Sequence, residues 1–456
     1  MASIIWSTKP YQLTDVTYST ATLVYGNTLP VTVYTQGYAN GSSIYYSLSG
    51  HETGTGSAVI SHYFGDFGKA IFNIPTTADF SNGPAAFGFT IHDQNAYNAS
   101  TQLVPASNKS TNNIILATAP YTINITSDVQ NYNLATEMAA LGWTSAAGTF
   151  TANITVGAGV YIWSDSTAIA AFDTGTFGGI TNNVINITNN GYIMGKGGVG
   201  GSGGVGLSAV MVVGGNGGPA INLQHNVTIV NNTGAFIGGG GGGGGSAQSV
   251  SPQGTSAKNA GSVGGGGGAG GGRGGAATET SGIAGGAGGA VGVVGSNGSD
   301  AGTFPSNENI VGSGGGGGRI MPGSGGLGGY WGLTPVATGY NNLGGKGGGA
   351  GGGGGGSGSA VSGTPNPPVK GYGGDGGGSN GAGSIGSQVG GQPTSPGVTG
   401  GAAGGGGGGW GAAGADGVIY SAPLKKSVGG TGGKAIALNG QTATRSGPGT
   451  TYGTVA

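Results

Sequence analysis

Glycine runs dominate this chain from Gly195 onward. Most of its 117 glycines lie between Gly195 and Gly433, in runs such as Gly238–Gly245, Gly264–Gly268, Gly351–Gly356 and Gly404–Gly409. Glycine brings no side chain to a core, and the usual fate of such a segment is a flexible linker. Three features argue against that here. The runs have fairly even length, aromatic and β-branched residues punctuate them, and serine is sparse inside them. Collagen is excluded because glycine does not recur strictly at every third position with abundant proline. A packed array of extended glycine helices is the remaining solution. A left-handed helix of three residues per turn rises about 3.1 Å per residue and makes no internal hydrogen bonds. Its N–H and C=O groups must therefore pair with neighbours, and only glycine on every face lets backbones approach that closely. Ordering glycine is entropically costly, so the array must make very many such bonds. On this reading residues 195–456 form a bundle of polyglycine II helices, and Gly238–Gly245 spans roughly 25 Å.

Composition narrows the function. Charged residues make up 6% of the chain and its net charge is -1, so it has no basic surface to neutralise phosphates. Nucleic acid is not an expected partner. The 18 Tyr, 11 Phe and 5 Trp argue against disorder. Without cysteine there is no disulfide, thiol nucleophile or Cys–zinc site. Met1–Trp6 has neither a basic region nor a long apolar core, so no signal peptide is expected. No run of about 20 apolar residues is present, so no membrane insertion is expected. Such a chain can be made in a cytosol and work outside it, as virion proteins do.

Residues 1–120 read as an all-β domain. Runs with strand character recur between turn residues at Thr22–Tyr25, Val31–Thr35, Ser43–Leu48, Ala58–Tyr63, Lys69–Ile74, Phe87–His92 and Asn113–Ala117. This spacing suggests an antiparallel sandwich. The turn and strand Tyr38–Tyr46, and the strand Lys69–Ile74 followed by Thr76–Asp79, resemble a Calx-β or bacterial Ig-like repeat. Calcium-binding members of that family carry clustered acids. Asp66, Asp79 and Asp93 are scattered here, so no metal is expected.

Residues 121–194 read as a short β-helix-like connector. Asn133 is placed to cap a helix over Leu134–Leu141 that Gly142 ends. Strands are expected at Phe150–Val156, Val160–Trp163 and Val184–Thr188. An internal repeat then appears. Val184–Gly195 is echoed by Val227–Gly238, each a strand, an Asn-rich turn, a second short strand and entry into glycine. Equivalent turns of this kind stack side by side.

These entries into glycine, together with Gly217–Ile221 and Gly432–Ile436, resemble the distal adhesin of T-even-like bacteriophage tail fibres, as does Gln130–Leu134 to Gly142–Trp143. The resemblance covers roughly Tyr121 to the C-terminus. It implies a polyglycine II sandwich whose end loops bind a host receptor, a virion location at the fibre tip, and no cofactor. An Ig-like domain stands where the family's attachment domain is usual. Attachment to another tail fibre or baseplate protein is therefore expected through the N-terminal region, with the chain a monomer or homotrimer. Counting rods from both ends places Ser246–Ala260, Ala290–Val311 and Trp410–Val428 far from the connector and Ala276–Ser281 near it. Arg319–Pro322, Tyr330–Leu343 and Ser357–Lys370 stay unassigned. Aromatic rings fill protein pockets and stack on sugars, and they dominate interface hot spots. Trp410 and Tyr420 are the expected receptor anchors, with Tyr330, Trp331 and Tyr340 as contributors; packing against the glycine bundle is the competing role for each.

No catalytic constellation stands out. Polyglycine generates G-x-G-x-x-G by chance, and no G-x-x-x-x-G-K-[ST] occurs. His51, His62, His92 and His225 lack metal-ligand spacing. Glu279, Asp300, Glu308, Asp375 and Asp416 could supply the acid pair of a glycan hydrolase but read as turn and loop residues. The expected function is receptor binding without catalysis. A polysaccharide depolymerase of a phage tail and a structural decoration protein of the virion are the alternatives.

Overall fold

A computed structural model describes residues 12–18, 22–24, 27–50, 52–76, 85–92, 114–117, 120–145, 148–204, 210–250, 260–277, 284–298, 313–321, 370–371, 381–383, 388–389, 402–419 and 425–456. The described chain is mostly β, with one short helix. It divides into two compact units. Met1–Tyr121, Glu137–Ala152 and Phe177–Val184 make the first, and Thr122–Thr136, Asn153–Thr176 and Ile185–Ala456 the second.

In the first unit two sheets enclose one core. One sheet orders Gln12–Tyr18, Thr28–Gln36, Phe67–Pro75 and Ser61–Phe64. The other orders Thr22–Val24, Ile114–Ala117, Ala85–His92, Ser43–Gly50 and Gly54–Val59. Burial alternates along Thr28–Gln36 and Phe67–Pro75 because successive side chains point to opposite faces. Leu29, Val31, Phe72 and Ile74 from one sheet meet Ile44, Phe87 and Ile91 from the other. The run expected as a single strand at Ala58–Tyr63 is two strands in different sheets. Ile60, fully buried at the corner, turns the chain from one to the other. In the same unit Trp143, Phe150 and Phe177 pack edge to face with centroids 4.7–5.4 Å apart.

Downstream, strands stack into three parallel ladders. The first holds Tyr121–Ile125, Thr151–Val156, Val184–Asn189, Val227–Asn231 and Ala443–Ser446. The second holds Val129–Gln130, Tyr161–Trp163, Tyr192–Met194, Phe236–Gly238 and Thr450–Tyr452. The third holds Tyr132–Asn133, Phe172–Asp173, Ile221–Asn222 and Ile436–Ala437, and Val455 bridges to Ile436. The chain thus visits the ladders in order, five times. Like residues stack inside: Ile187 on Ile229, Ile162 on Ile193 and Ile237, Phe172 on Ile221 and Ile436. The repeat seen in the sequence is two adjacent circuits, with Asn189 paired to Asn231 and Tyr192 to Phe236. Its asparagines bond along the stack, Asn189 Nδ2 donating to Asn231 Oδ1 at 2.8 Å and Asn232 Nδ2 to Asn190 Oδ1 at 2.7 Å. The helix spans Leu134–Ala140. Asn133 caps it, accepting from the Thr136 N–H at 3.0 Å, and Gly142 ends it at φ 88°.

Both large glycine segments leave the circuits at the same corner, between the second and third ladders. Residues 195–220 interrupt the third circuit and 239–435 the fourth. The runs bond to one another with a three-residue period. Gly195, Gly198 and Gly201 donate to the carbonyls of Gly238, Gly241 and Gly244. Along the next run, Gly240 and Gly243 donate to Gly218 and Gly215, Gly241 and Gly244 to Ala269 and Gly266, and Gly242 and Gly245 to Ala412 and Ala415, at 2.7–2.9 Å. The run 239–245 therefore donates to three neighbours in rotation and accepts from others, 195–201, 405–408 and 430–433, some parallel and some antiparallel.

These bonds follow a path different from the expected one. Gly261–Gly275 is not one returning rod: it reverses at Gly270 and Gly271, with φ 96° and 76°. The Lys196 amine bonds Gly271 at that reversal, beside the ladders. Gly292 and Gly411 make two further reversals there, at φ 70° and 63°. Positive φ lets glycine turn the chain without a bulky residue, so interruptions in the glycine undercount the turns. Hence Ala276 and Ala277 end an outward run, and 290–293 and 410–411 lie at the ladders. The expected far position of Ser246 agrees with the structure.

Candidate functional site

The glycine region has two chemically different ends. At the ladder end the rods sit on side chains. Tyr161, Tyr192, Phe236 and Tyr452, one from each of four successive circuits, stack with centroids 4.6, 5.7 and 5.9 Å apart. Met194, Ala269, Met321 and Trp410 are buried against this column. Arg319 lies 4.4 Å over the Trp163 ring, and its Nε donates to Gly270 O at 3.3 Å. Lys196 Nζ donates to Gly271 O at 2.8 Å. Burial, and then the nearby Arg319, lower the Lys196 pKa to about 8, opposed by Asp165.

At the far end the backbone is closed off by short antiparallel pairs. Ala247–Val250 pairs with Ala260–Val263, and Ala402–Ala403 with Val418–Ile419. Ala247, Val263, Ala402 and Ile419 pack between them. Ser246 N donates to Ser427 Oγ at 2.8 Å, and Ser427 Oγ to Val212 O at 2.9 Å, which ties three rods together. Gln248 and Lys425 exchange two bonds of 2.9 Å. Asp416 accepts from Gly429 N at 3.1 Å and lies 3.8 Å from Lys426, so its carboxylate holds a turn. From this locked end the chain passes out of the described residues and back at 205–209, 251–259, 278–283, 299–312 and 420–424. Val210, Val212, Val213 and Val428 stand more than half exposed at the same end.

Of the five expected receptor contacts, only Trp410 is described. It is fully buried at the ladder end, not at the far end, because the Gly411 reversal sets it on the aromatic column. Among the described residues its Nε1–H has no hydrogen-bond partner. Tyr330, Trp331, Tyr340 and Tyr420 lie outside the described residues, as do Glu279, Asp300, Glu308 and Asp375. The exposed valines were missed because a lone valine beside glycine carries no sequence signal of exposure. No group of three or more metal-ligating side chains occurs among the described residues. His62 Nε2 lies 2.6 Å from Tyr38 O, and His225 is buried with its pKa lowered by desolvation.

Residues 120–303 match the family of phage tail fibre adhesin Gp38. The match starts with the first circuit and runs through the first glycine rods. The crystal structure of the gp37-gp38 adhesin tip complex of the bacteriophage S16 long tail fiber is 16% identical over 74% of this chain and 82% of that one, with a TM-score of 0.31. No curated protein sequence matches the chain.

Proposed function

We infer that this chain, a phage tail fibre adhesin, is the receptor-binding protein of a fibre tip and acts in the virion. The match over residues 120–303 carries the inference. The far end of the glycine region supports its mechanism. A glycine scaffold offers no side chains, so specificity must lie in loops held by rigid rods. Five segments, 205–209, 251–259, 278–283, 299–312 and 420–424, join described residues at this far end, where Val210, Val212, Val213 and Val428 are exposed. Receptor contacts are assigned to these five segments, with Tyr420 as the aromatic candidate; Tyr330, Trp331 and Tyr340, outside the five, are further contributors. Binding proceeds without catalysis, and the receptor is a host surface protein or glycan.

The rods are polyglycine II helices in this reading, supported by their three-residue partner period. The first 120 residues form an Ig-like or Calx-β-like domain. Residues 121–194 begin the ladder platform, and 195–456 carry the glycine bundle together with the circuits that close it. The N-terminal region joins another tail fibre or baseplate protein. The test replaces each far loop with a short Gly-Ser connector and measures host adsorption with folding checked separately. Loss of adsorption by at least one folded variant is expected. Normal adsorption by all five folded variants would refute the assignment.

A further inference from the structure

The first unit carries a feature that receptor binding by the far loops does not use. Its sheet of Gln12–Tyr18, Thr28–Gln36, Phe67–Pro75 and Ser61–Phe64 buries one face in the core. The opposite face is rich in rings. Tyr63 is 56% exposed, Phe64 76% and Ile71 51%. The rings of Tyr34 and Tyr63 meet edge to face, 6.3 Å apart. Cross-strand register puts polar groups beside them. Asp15 pairs with Tyr34, Tyr34 with Lys69, and Lys69 with Ser61, in one row across four strands. Phe64 pairs with Phe67 in the neighbouring row.

An exposed aromatic patch on a sheet invites either strand addition at the edge or a ligand on the face. The sheet has two edge strands, Gln12–Tyr18 and Ser61–Phe64, and the register shifts in both, between Leu13 and Asp15 and between His62 and Phe64. Such a bulge twists an edge away from pairing. His62 is also fastened, its N–H donating to Asn40 Oδ1 at 3.0 Å. The face is therefore the usable surface. With one acid and one base in the row, it does not select a polyanion or an anionic membrane. Flat rings interleaved with a carboxylate, an ammonium and a hydroxyl match a ligand with apolar faces and a rim of hydroxyls.

We propose that this face is a glycan-binding platform: Tyr34, Tyr63 and Phe64 stack on pyranose rings, while Asp15, Lys69 and Ser61 hydrogen-bond their hydroxyls. It would hold surface polysaccharide separately from the receptor contacts of the far loops. The test is affinity electrophoresis of the full chain through gels cast with purified O-polysaccharide or capsular polysaccharide of the host strain; retardation in one gel and not the other identifies the source. Retardation of the natural chain is expected, with apparent affinity reduced roughly tenfold or more in the Tyr63→Ser/Phe64→Ser double variant and thermal stability unchanged. A chain with its far loops replaced should still be retarded. No retardation in either gel would overturn the proposal, as would equal retardation of the double variant. So would retardation that follows the far loops, or a dimer in sedimentation that Phe64→Ser abolishes; none of these outcomes touches the adsorption experiment.

Discussion

Trp410 is a large ring set among glycines, and its contacts come from the aromatic column beneath it. Trp410→Ala should cost about 3–5 kcal/mol of stability. Trp410→Phe should cost much less, because it keeps most of the ring and removes a buried N–H without a partner. Chemical unfolding checks both, and adsorption per folded molecule should stay unchanged. Lys196 gives a second prediction. Its folded pKa is lowered to about 8 from 10.5. Across that window the unfolded chain binds more protons than the folded one, so this group makes stability rise with pH from about 8 to about 10. In Lys196→Met that contribution to the slope should vanish. Urea midpoints of both proteins at about pH 7.5 and about pH 9.5 measure it.

Rods and ladders depend on different chemistry. A Cβ on Gly243 would run into the Val199 carbonyl of the adjoining rod. Gly243→Ala should therefore cost at least about 1–3 kcal/mol by overpacking, seen as a lower thermal midpoint; an unchanged midpoint would contradict close rod packing. In the ladders the vulnerable groups are polar. Asn189 is fully buried, donates to Asn231 and accepts from Gly191 N at 3.1 Å. Asn189→Ala leaves both partners short and should cost about 1–3 kcal/mol. The asparagine turn was legible because the same short pattern occurs twice. The third, fourth and fifth visits to the ladders were not all legible, since Ile221–Asn222 and Ile436–Ala437 are too short for a period to show.

Across the whole molecule, the revised path changes which segments should matter for a host. Ala277, Val250 and Ala260 all lie at the far end, so on the proposed function a Gly-Ser connector replacing 278–283 or 251–259 should lower adsorption without loss of stability. Changes at 290–293 or 410–411 should do the reverse, because those reversals rest at the ladders. Paired adsorption and unfolding measurements on the four variants separate the two ends. If 278–283 behaves like 410–411, the traced direction of that rod is wrong.

Residue type alone determined that this chain could not build an ordinary core from Gly195 onward, that its early strands alternate, and that two asparagine turns repeat. Those properties are local: side-chain period, turn chemistry and the missing Cβ act within a few residues. Where each rod reverses was decided by tertiary structure. A glycine at positive φ looks the same in sequence as one inside a rod, and only the Lys196, Arg319 and Trp410 contacts mark Gly270, Gly271 and Gly411 as turns. The role of Trp410 was decided in the same way. Its environment is made by Tyr161, Tyr192, Phe236 and Tyr452, far away along the chain and brought together by parallel stacking.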